Sequence, residues 1–150
     1  MTKKRCRDAA LLATILVLWS CAGDGTGLDE FDEFGNPLPD TTLVLGPTLS
    51  SIQAFVFTPI CTLCHTGAAA PLGLALDAGV ARQNLVGVTS GEIPALVRVN
   101  PGQPDASYIV WKIEGRSGIV GGRMPLDMQP LSAEQIAAIR GWISDGAENN

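Results

Sequence analysis

The chain has 150 residues, 46% of them hydrophobic and 17% charged, and a formal net charge of −5 at pH 7. This length and composition fit one globular domain with an additional segment, and they exclude a protein that is apolar along its whole length. The excess of acidic residues also argues against a nucleic-acid partner, because nucleic-acid binding requires a basic surface.

The first 20 residues are predicted to form a lipoprotein-type signal peptide. Four basic residues at positions 3–7 precede an apolar run of eleven residues from Ala9 to Trp19. This run is too short to span a bilayer but has the length of a signal-peptide core. It ends in Leu18-Trp19-Ser20-Cys21, which resembles a bacterial lipobox. We therefore expect lipidation of Cys21 and an extracytoplasmic protein, in the periplasm or cell envelope, anchored to a bacterial membrane; the alternative is a plain secretory signal.

Residues 21–48 are predicted to form a flexible acidic tether. Six acidic residues, no basic residues and two prolines lie between residue 21 and residue 41, a composition that buries too little apolar surface to pack. The alternative is that Phe31 and Phe34 form a short recognition motif. Removal of residues 1–20 takes away four basic residues and one acidic residue, which leaves six against 14 and a net charge of −8. Such a charge favours encounter with basic partner proteins.

The remaining residues, 49–150, are predicted to form one all-α domain. Ser50 or Ser51 is placed to cap a short helix, and Pro59 ends it because proline lacks the amide donor. Apolar residues in the range 74–86 indicate a second, weaker helical stretch.

Two more helices are predicted in the C-terminal part of the chain. Asp105 is placed to cap the first of them. Ser132 and Gln135 form a capping box for the last helix, and Gly146 is placed to end it. The apolar residues of this last helix have spacings of three and four: Ile136, Ile139 and Ile143. No segment alternates apolar and polar residues convincingly, so we expect no β-sheet.

Residues 61–65 read CTLCH, two cysteines three positions apart followed at once by a histidine. This is the c-type haem attachment signature: each thiol adds to one vinyl group of the porphyrin, and the histidine binds the iron. The alternatives are a zinc site, which needs a fourth ligand, a thioredoxin-like redox pair, which needs a strand–helix context, and a chance occurrence. We predict one haem c as the cofactor, bound through Cys61 and Cys64.

His65 is the only histidine in the chain, so a second side-chain ligand to the haem iron cannot be another histidine. Methionine is the expected substitute, and apart from the first residue the chain has only Met124 and Met128. Met124 is favoured because glycines precede it and Pro125 biases its backbone away from helical geometry. The alternatives are Met128 and an open sixth position.

Three further residues are candidates for contact with the haem. Arg98 and Arg123 are basic residues suited to pairing with haem propionates, and Trp111 is a hydrogen-bond donor. Lys112 and Tyr108 are considered for the same roles. The alternative for each is an ordinary position as a surface cation or a core aromatic residue.

Six short segments between residues 50 and 147 carry a family resemblance: CTLCHTG at 61–67, RVNPG at 98–102, SYI at 107–109, RMP at 123–125, PLS at 130–132 and WISDGA at 142–147. Together they resemble small c-type cytochrome domains of bacterial secreted proteins. The resemblance implies an all-α, cytochrome c-like bundle of about three to five short helices wrapped around one covalently bound haem. It also implies that His65 and Met124 are the axial ligands of the iron.

The expected function is that of a single-electron carrier in an extracytoplasmic electron-transfer chain, with no substrate turnover and therefore no enzymatic activity. The expected partners are other redox proteins with basic docking surfaces. Two alternatives remain. One is a haem enzyme or gas-sensing domain with an open sixth coordination position, and the other is a lipoprotein that binds no haem and acts through protein interactions.

Overall fold

The computed structural model of the chain describes residues 44–150. The predicted signal peptide, Cys21 and residues 21–43 of the predicted tether lie outside this range. Four α-helices occur within it: α1 (Leu49–Ile52), α2 (Ala81–Leu85), α3 (Tyr108–Glu114) and α4 (Ala133–Ser144). The described residues form no β-strand and pair only at isolated bridges. The prediction of an all-α domain is therefore confirmed for this part of the chain.

Helix α1 begins two or three residues earlier than predicted. The Oγ1 atom of Thr48 accepts a hydrogen bond from the Ser51 amide at 3.2 Å, so Thr48 is the N-cap. Ser50 and Ser51 both lie inside the helix and do not cap it. The Ser51 hydroxyl instead accepts a hydrogen bond from the Gly46 amide at 2.8 Å. The chain then continues through a π-helical turn, Gln53–Phe57, and the helical segment ends before Pro59 as predicted.

Asp105 does not cap α3, and that prediction is wrong. Asp105 lies in a 3₁₀ turn, Pro104–Ala106, and Ser107 is the residue that directly precedes the helix. The Asp105 carboxylate accepts hydrogen bonds from Arg116 at 2.6 Å and from Arg140 at 2.9 Å. Two arginines from α4 and the loop after α3 therefore draw this side chain away from the helix terminus.

The predicted ends of α4 are both confirmed. The Ser132 hydroxyl accepts from the Gln135 amide at 3.2 Å, and the Ser132 amide donates to the Gln135 side chain at 2.9 Å, which completes the capping box. Gly146 follows the helix at φ = +100°, a conformation that favours glycine. The Gly146 amide donates to Ile143 at 3.1 Å and the Ala147 amide to Trp142 at 2.8 Å, the two bonds of a Schellman motif.

Helix α4 forms one side of the apolar core. The most deeply buried large apolar side chains come from the helical segments and from the loop before α3: Ile52, Val56, Phe57, Leu85, Val99, Val110, Ile139, Trp142 and Ile143. Leu45 packs against this core, and a Cβ atom at Gly141 would lie 2.8 Å from Pro47. Residues 45–47 of the predicted tether thus lie against the domain. No helix among residues 44–150 combines the length and the apolar character needed to cross a bilayer.

Replacing Ser132 by alanine removes the acceptor of the Gln135 amide, and we expect the free energy of unfolding to fall by about 1 kcal/mol. Ser144 lies exposed at the other end of the same helix and provides a matched control. Ser144→Ala should leave stability unchanged or raise it slightly, because alanine has the higher helix propensity. Urea unfolding of the full chain, followed by circular dichroism, measures both variants. Equal stabilities would contradict the capping role of Ser132.

Candidate functional site

A cavity of about 400 Å³ opens between the helices and the loops that connect them. Its volume lies within the range of roughly 300–1,000 Å³ that is typical of ligand sites. Most of its wall is apolar, with contributions from Phe57, Ile60, Leu74, Leu76, Leu85, Ile109, Ile113, Leu131 and Ile139. Five side chains with a sulfur atom or an imidazole ring line the same cavity: Cys61, Cys64, His65, Met124 and Met128. The structure therefore brings together the residues that the sequence singled out for covalent attachment and iron ligation.

The two cysteines lie on one tight turn of the chain. A 3₁₀ helix, Cys61–Leu63, closes with hydrogen bonds from the amides of Cys64 and His65 to the Cys61 carbonyl at 3.2 and 2.9 Å. Both thiols are free: Cys61 is partly buried and Cys64 is exposed. Burial raises the pKa of the Cys61 thiol to about 12, so this group is neutral at physiological pH.

The ring of His65 is oriented by a backbone carbonyl. Its Nδ1 atom lies 3.0 Å from the Leu74 oxygen. Because a carbonyl oxygen only accepts, Nδ1 carries the proton and Nε2 keeps a free lone pair for a metal ion. The segment after His65 is fixed as well, since the Asp77 carboxylate accepts from the Thr66 hydroxyl at 2.5 Å and from the Gly67 amide at 2.8 Å. These hydrogen bonds also lower the pKa of Asp77 below its usual range.

The two methionines differ in burial and in backbone support. Met128 is 47% exposed, whereas Met124 is half-buried. The Met124 amide donates to the Lys112 carbonyl of α3 at 2.9 Å, which ties this residue to the helix that lines the cavity. Of the two methionines on the cavity wall, Met124 is therefore the more buried and the one whose backbone is held by α3.

Of the three further candidates, only Arg98 lines the cavity. Its guanidinium donates to the carbonyl of Asn84 at 2.7 Å and to that of Leu72 at 2.6 Å. Burial lowers the pKa of Arg98 from its ordinary value. Arg98 thus holds the loop that ends at Leu74, the residue that accepts from His65.

Trp111 and Arg123 are not among the residues that line the cavity. The indole of Trp111 donates to the Asp105 carbonyl at 2.7 Å, and the Arg116 guanidinium lies 5.9 Å from its ring centre. Arg123 packs against Gly115: a Cβ atom added at Gly115 would lie 2.8 Å from the Cδ atom of Arg123. The cavity face of α3 is formed by Tyr108, Ile109, Lys112 and Ile113, and at 3.6 residues per turn Trp111 falls on the other side.

Glu92 lines the cavity and was missed in the sequence. Its carboxylate accepts from the Tyr108 hydroxyl at 2.6 Å and pairs with Lys112 at 3.1 Å. Burial raises the pKa of Glu92, but the hydrogen bonds from Tyr108 and Lys112 outweigh it and hold the pKa below its usual value. No motif or spacing marks this residue, because it lies in a segment without helical or strand periodicity.

Within residues 44–150, no group of three or more His, Cys, Asp or Glu side chains is arranged to hold a metal ion. Comparison of the chain with protein-family models, curated proteins and solved structures finds no match. The possible chemistry of the site is therefore inferred from the side chains that line the cavity. Two thiols can form covalent bonds, and one imidazole and one thioether on the wall of the same cavity are able to ligate a soft or borderline metal ion.

Glu92→Gln provides a test of the Glu92 carboxylate, whose side chain is 21% exposed. A folded-state pKa below the unfolded value of about 4.3 means that Glu92 stabilises the fold above this pH and loses that contribution as the pH falls through the folded-state pKa. We expect the variant to be about 1–2 kcal/mol less stable near neutral pH. The difference from the unsubstituted chain should shrink in acid. Urea unfolding at a series of pH values measures it, and a difference that does not change with pH would contradict the ionised state of Glu92.

Proposed function

We propose that the protein is an exported c-type cytochrome with one haem and that it carries single electrons. The observation that carries this proposal is the grouping of Cys61, Cys64, His65 and Met124 on the wall of one largely apolar cavity. Two cysteines at this spacing followed by a histidine match the c-type haem attachment signature, and a methionine thioether is an established second ligand of haem iron. The described residues contain four α-helices and no strand, which is compatible with the cytochrome c-like bundle that the sequence resembles.

Haem c fits the residues present. Cys61 and Cys64 would hold it through thioether bonds, and His65 and Met124 would ligate its iron. When bound, haem c supplies the one-electron couple between ferric and ferrous iron. The neutral state of the Cys61 thiol and the apolar wall suit a largely uncharged ring rather than a polar ligand.

The side chains around the site would adjust the reduction potential. The hydrogen bond from His65 Nδ1 to the Leu74 carbonyl raises the basicity of the ring and fixes its orientation. A thioether ligand stabilises ferrous iron, and an apolar wall disfavours the extra positive charge of the ferric state. Met124 and the cavity wall therefore both favour a raised potential, which suits an electron carrier. With His65 and Met124 both bound to it, the iron would offer no open position for a substrate.

The predicted lipoprotein signal supports a location outside the cytoplasm. Lipidation of Cys21 would hold the domain near a membrane through residues 21–48 without a spanning helix. The net charge of −8 expected after removal of residues 1–20 suits redox partners with basic surfaces.

Mass spectrometry tests the cofactor and the anchor together. The protein, expressed in bacteria that carry the c-type haem attachment machinery, should have the mass of residues 21–150 plus one haem and the acyl groups on Cys21. The double variant Cys61→Ser/Cys64→Ser should lose the haem mass and keep the acyl mass. Cys6→Ser provides the control, because residue 6 lies in the segment that is removed. A colourless wild-type protein without added porphyrin mass would contradict the proposal and favour a lipoprotein without haem.

Substitution of the methionines separates an electron carrier from an open-site haem protein. We expect Met124→Ala to lower the reduction potential by on the order of 100 mV and to let ferrous iron bind carbon monoxide. Met128→Ala is the matched control and should change neither property, since Met128 is the more exposed of the two. Spectroelectrochemical titration and carbon monoxide difference spectra measure the effects. Rapid carbon monoxide binding by the wild type would instead favour a haem enzyme or gas sensor.

A further inference from the structure

The loop that carries Met124 returns to the helix from which it departs. Helix α3 ends at Glu114. Gly115 follows it with a φ of +69°, which lets the chain turn away while the Gly115 amide still donates to the Trp111 carbonyl at 2.9 Å. After residues 116–123, the Met124 amide donates to the Lys112 carbonyl at 2.9 Å. Apolar burial does little to hold this loop, because Val120 is 50% exposed. Its glycines add backbone freedom that must be restrained by other contacts.

Two side chains of α3 supply those contacts at Val120. The Lys112 ammonium donates to the Val120 carbonyl at 2.7 Å, and the Tyr108 hydroxyl accepts from the Val120 amide at 3.1 Å. Both backbone polar groups of one exposed loop residue are therefore bound by α3. Lys112 holds the loop a second time through its own carbonyl, at Met124.

Glu92 fixes the two side chains that bind the loop. One of its carboxylate oxygens accepts from the Tyr108 hydroxyl at 2.6 Å and lies 3.1 Å from the Lys112 ammonium. The Lys112 side chain is 10% exposed and that of Glu92 is 21% exposed, so the pair is only weakly screened by solvent. Glu92 is itself held by the buried Ser90, whose hydroxyl accepts from the Glu92 amide at 3.2 Å.

We propose that Glu92, Tyr108 and Lys112 form a latch that holds the Met124 loop against α3 and so keeps the thioether on the haem iron. This inference rests on the proposed function and on Met124 as the sixth ligand. The three are positioning residues: they act on the iron only through the loop. A weaker latch lets the loop leave more often, and a competing ligand then binds with an apparent affinity that rises in proportion to the open fraction.

Tyr108→Phe is the mildest test, because it removes only the hydroxyl that joins Val120 to Glu92. The ferric holoprotein is titrated with imidazole, which displaces Met124 and removes the long-wavelength absorption band that marks an iron–thioether bond. Loss of one or two hydrogen bonds should tighten the apparent imidazole affinity by roughly two- to tenfold. The rate of imidazole binding should rise by a similar factor, because loop opening precedes it.

Lys112→Met/Glu92→Gln is a second variant that removes the ion pair without leaving a charge buried alone, and it should tighten imidazole binding as well. Ser132→Ala is the matched control, since it destabilises α4 away from the latch and should keep the wild-type affinity. Wild-type affinity in both latch variants would overturn the latch alone. Absence of the iron–thioether band from the wild type would overturn Met124 ligation, and the latch with it. If Ser132→Ala gained as much imidazole affinity as the latch variants, the gain would reflect a general loss of stability, and this result would also overturn the latch.

Discussion

The hydrogen bond between His65 Nδ1 and the Leu74 carbonyl determines which atom of the only histidine can bind a metal ion. It places the proton on Nδ1 and leaves Nε2 as the ligand. The acceptor is itself held, because Arg98 donates to the carbonyl of Leu72 just before it. A chain with one histidine has no substitute for this arrangement, so the loop around Leu74 matters as much to the site as the CTLCH turn.

The segments that carry His65 and Met124 are held in place by different kinds of contact. On the His65 side, the thiols and the imidazole lie within five residues, and neighbouring backbone groups fix them. On the Met124 side, the ligand arrives on a glycine-rich loop that is held by polar contacts to Tyr108 and Lys112. Local opening is easiest where few apolar contacts must be broken. If haem c is bound as we propose, exchange of the sixth ligand should begin at Met124, while the covalent bonds to Cys61 and Cys64 stay in place.

Features with short-range signals were predictable from the sequence. The Ser132–Gln135 capping box, Gly146 at the end of α4 and the loop before Met124 each depend on residues a few positions apart, and the structure has them as expected. The predicted N-cap of α1 was wrong because Thr48, Ser50 and Ser51 are all hydroxyl residues able to cap a helix, and Thr48 is the one that does so. The prediction that Asp105 caps α3 was wrong because its carboxylate binds Arg116 and Arg140, which lie 11 and 35 positions away in the sequence.

The remainder of the site depends on tertiary contacts that no spacing encodes. Glu92 lies in an irregular segment and becomes part of the cavity only through Tyr108 and Lys112. Trp111, one residue from Lys112, falls on the opposite side of α3 because of the helical repeat.

A crystal structure of the protein purified with its cofactor attached tests the central claim most directly. We expect continuous electron density from the sulfur atoms of Cys61 and Cys64 to one porphyrin, with iron between His65 Nε2 and the Met124 sulfur. Free thiols at these two positions in matured protein, or thiols that hold a different metal, would contradict it.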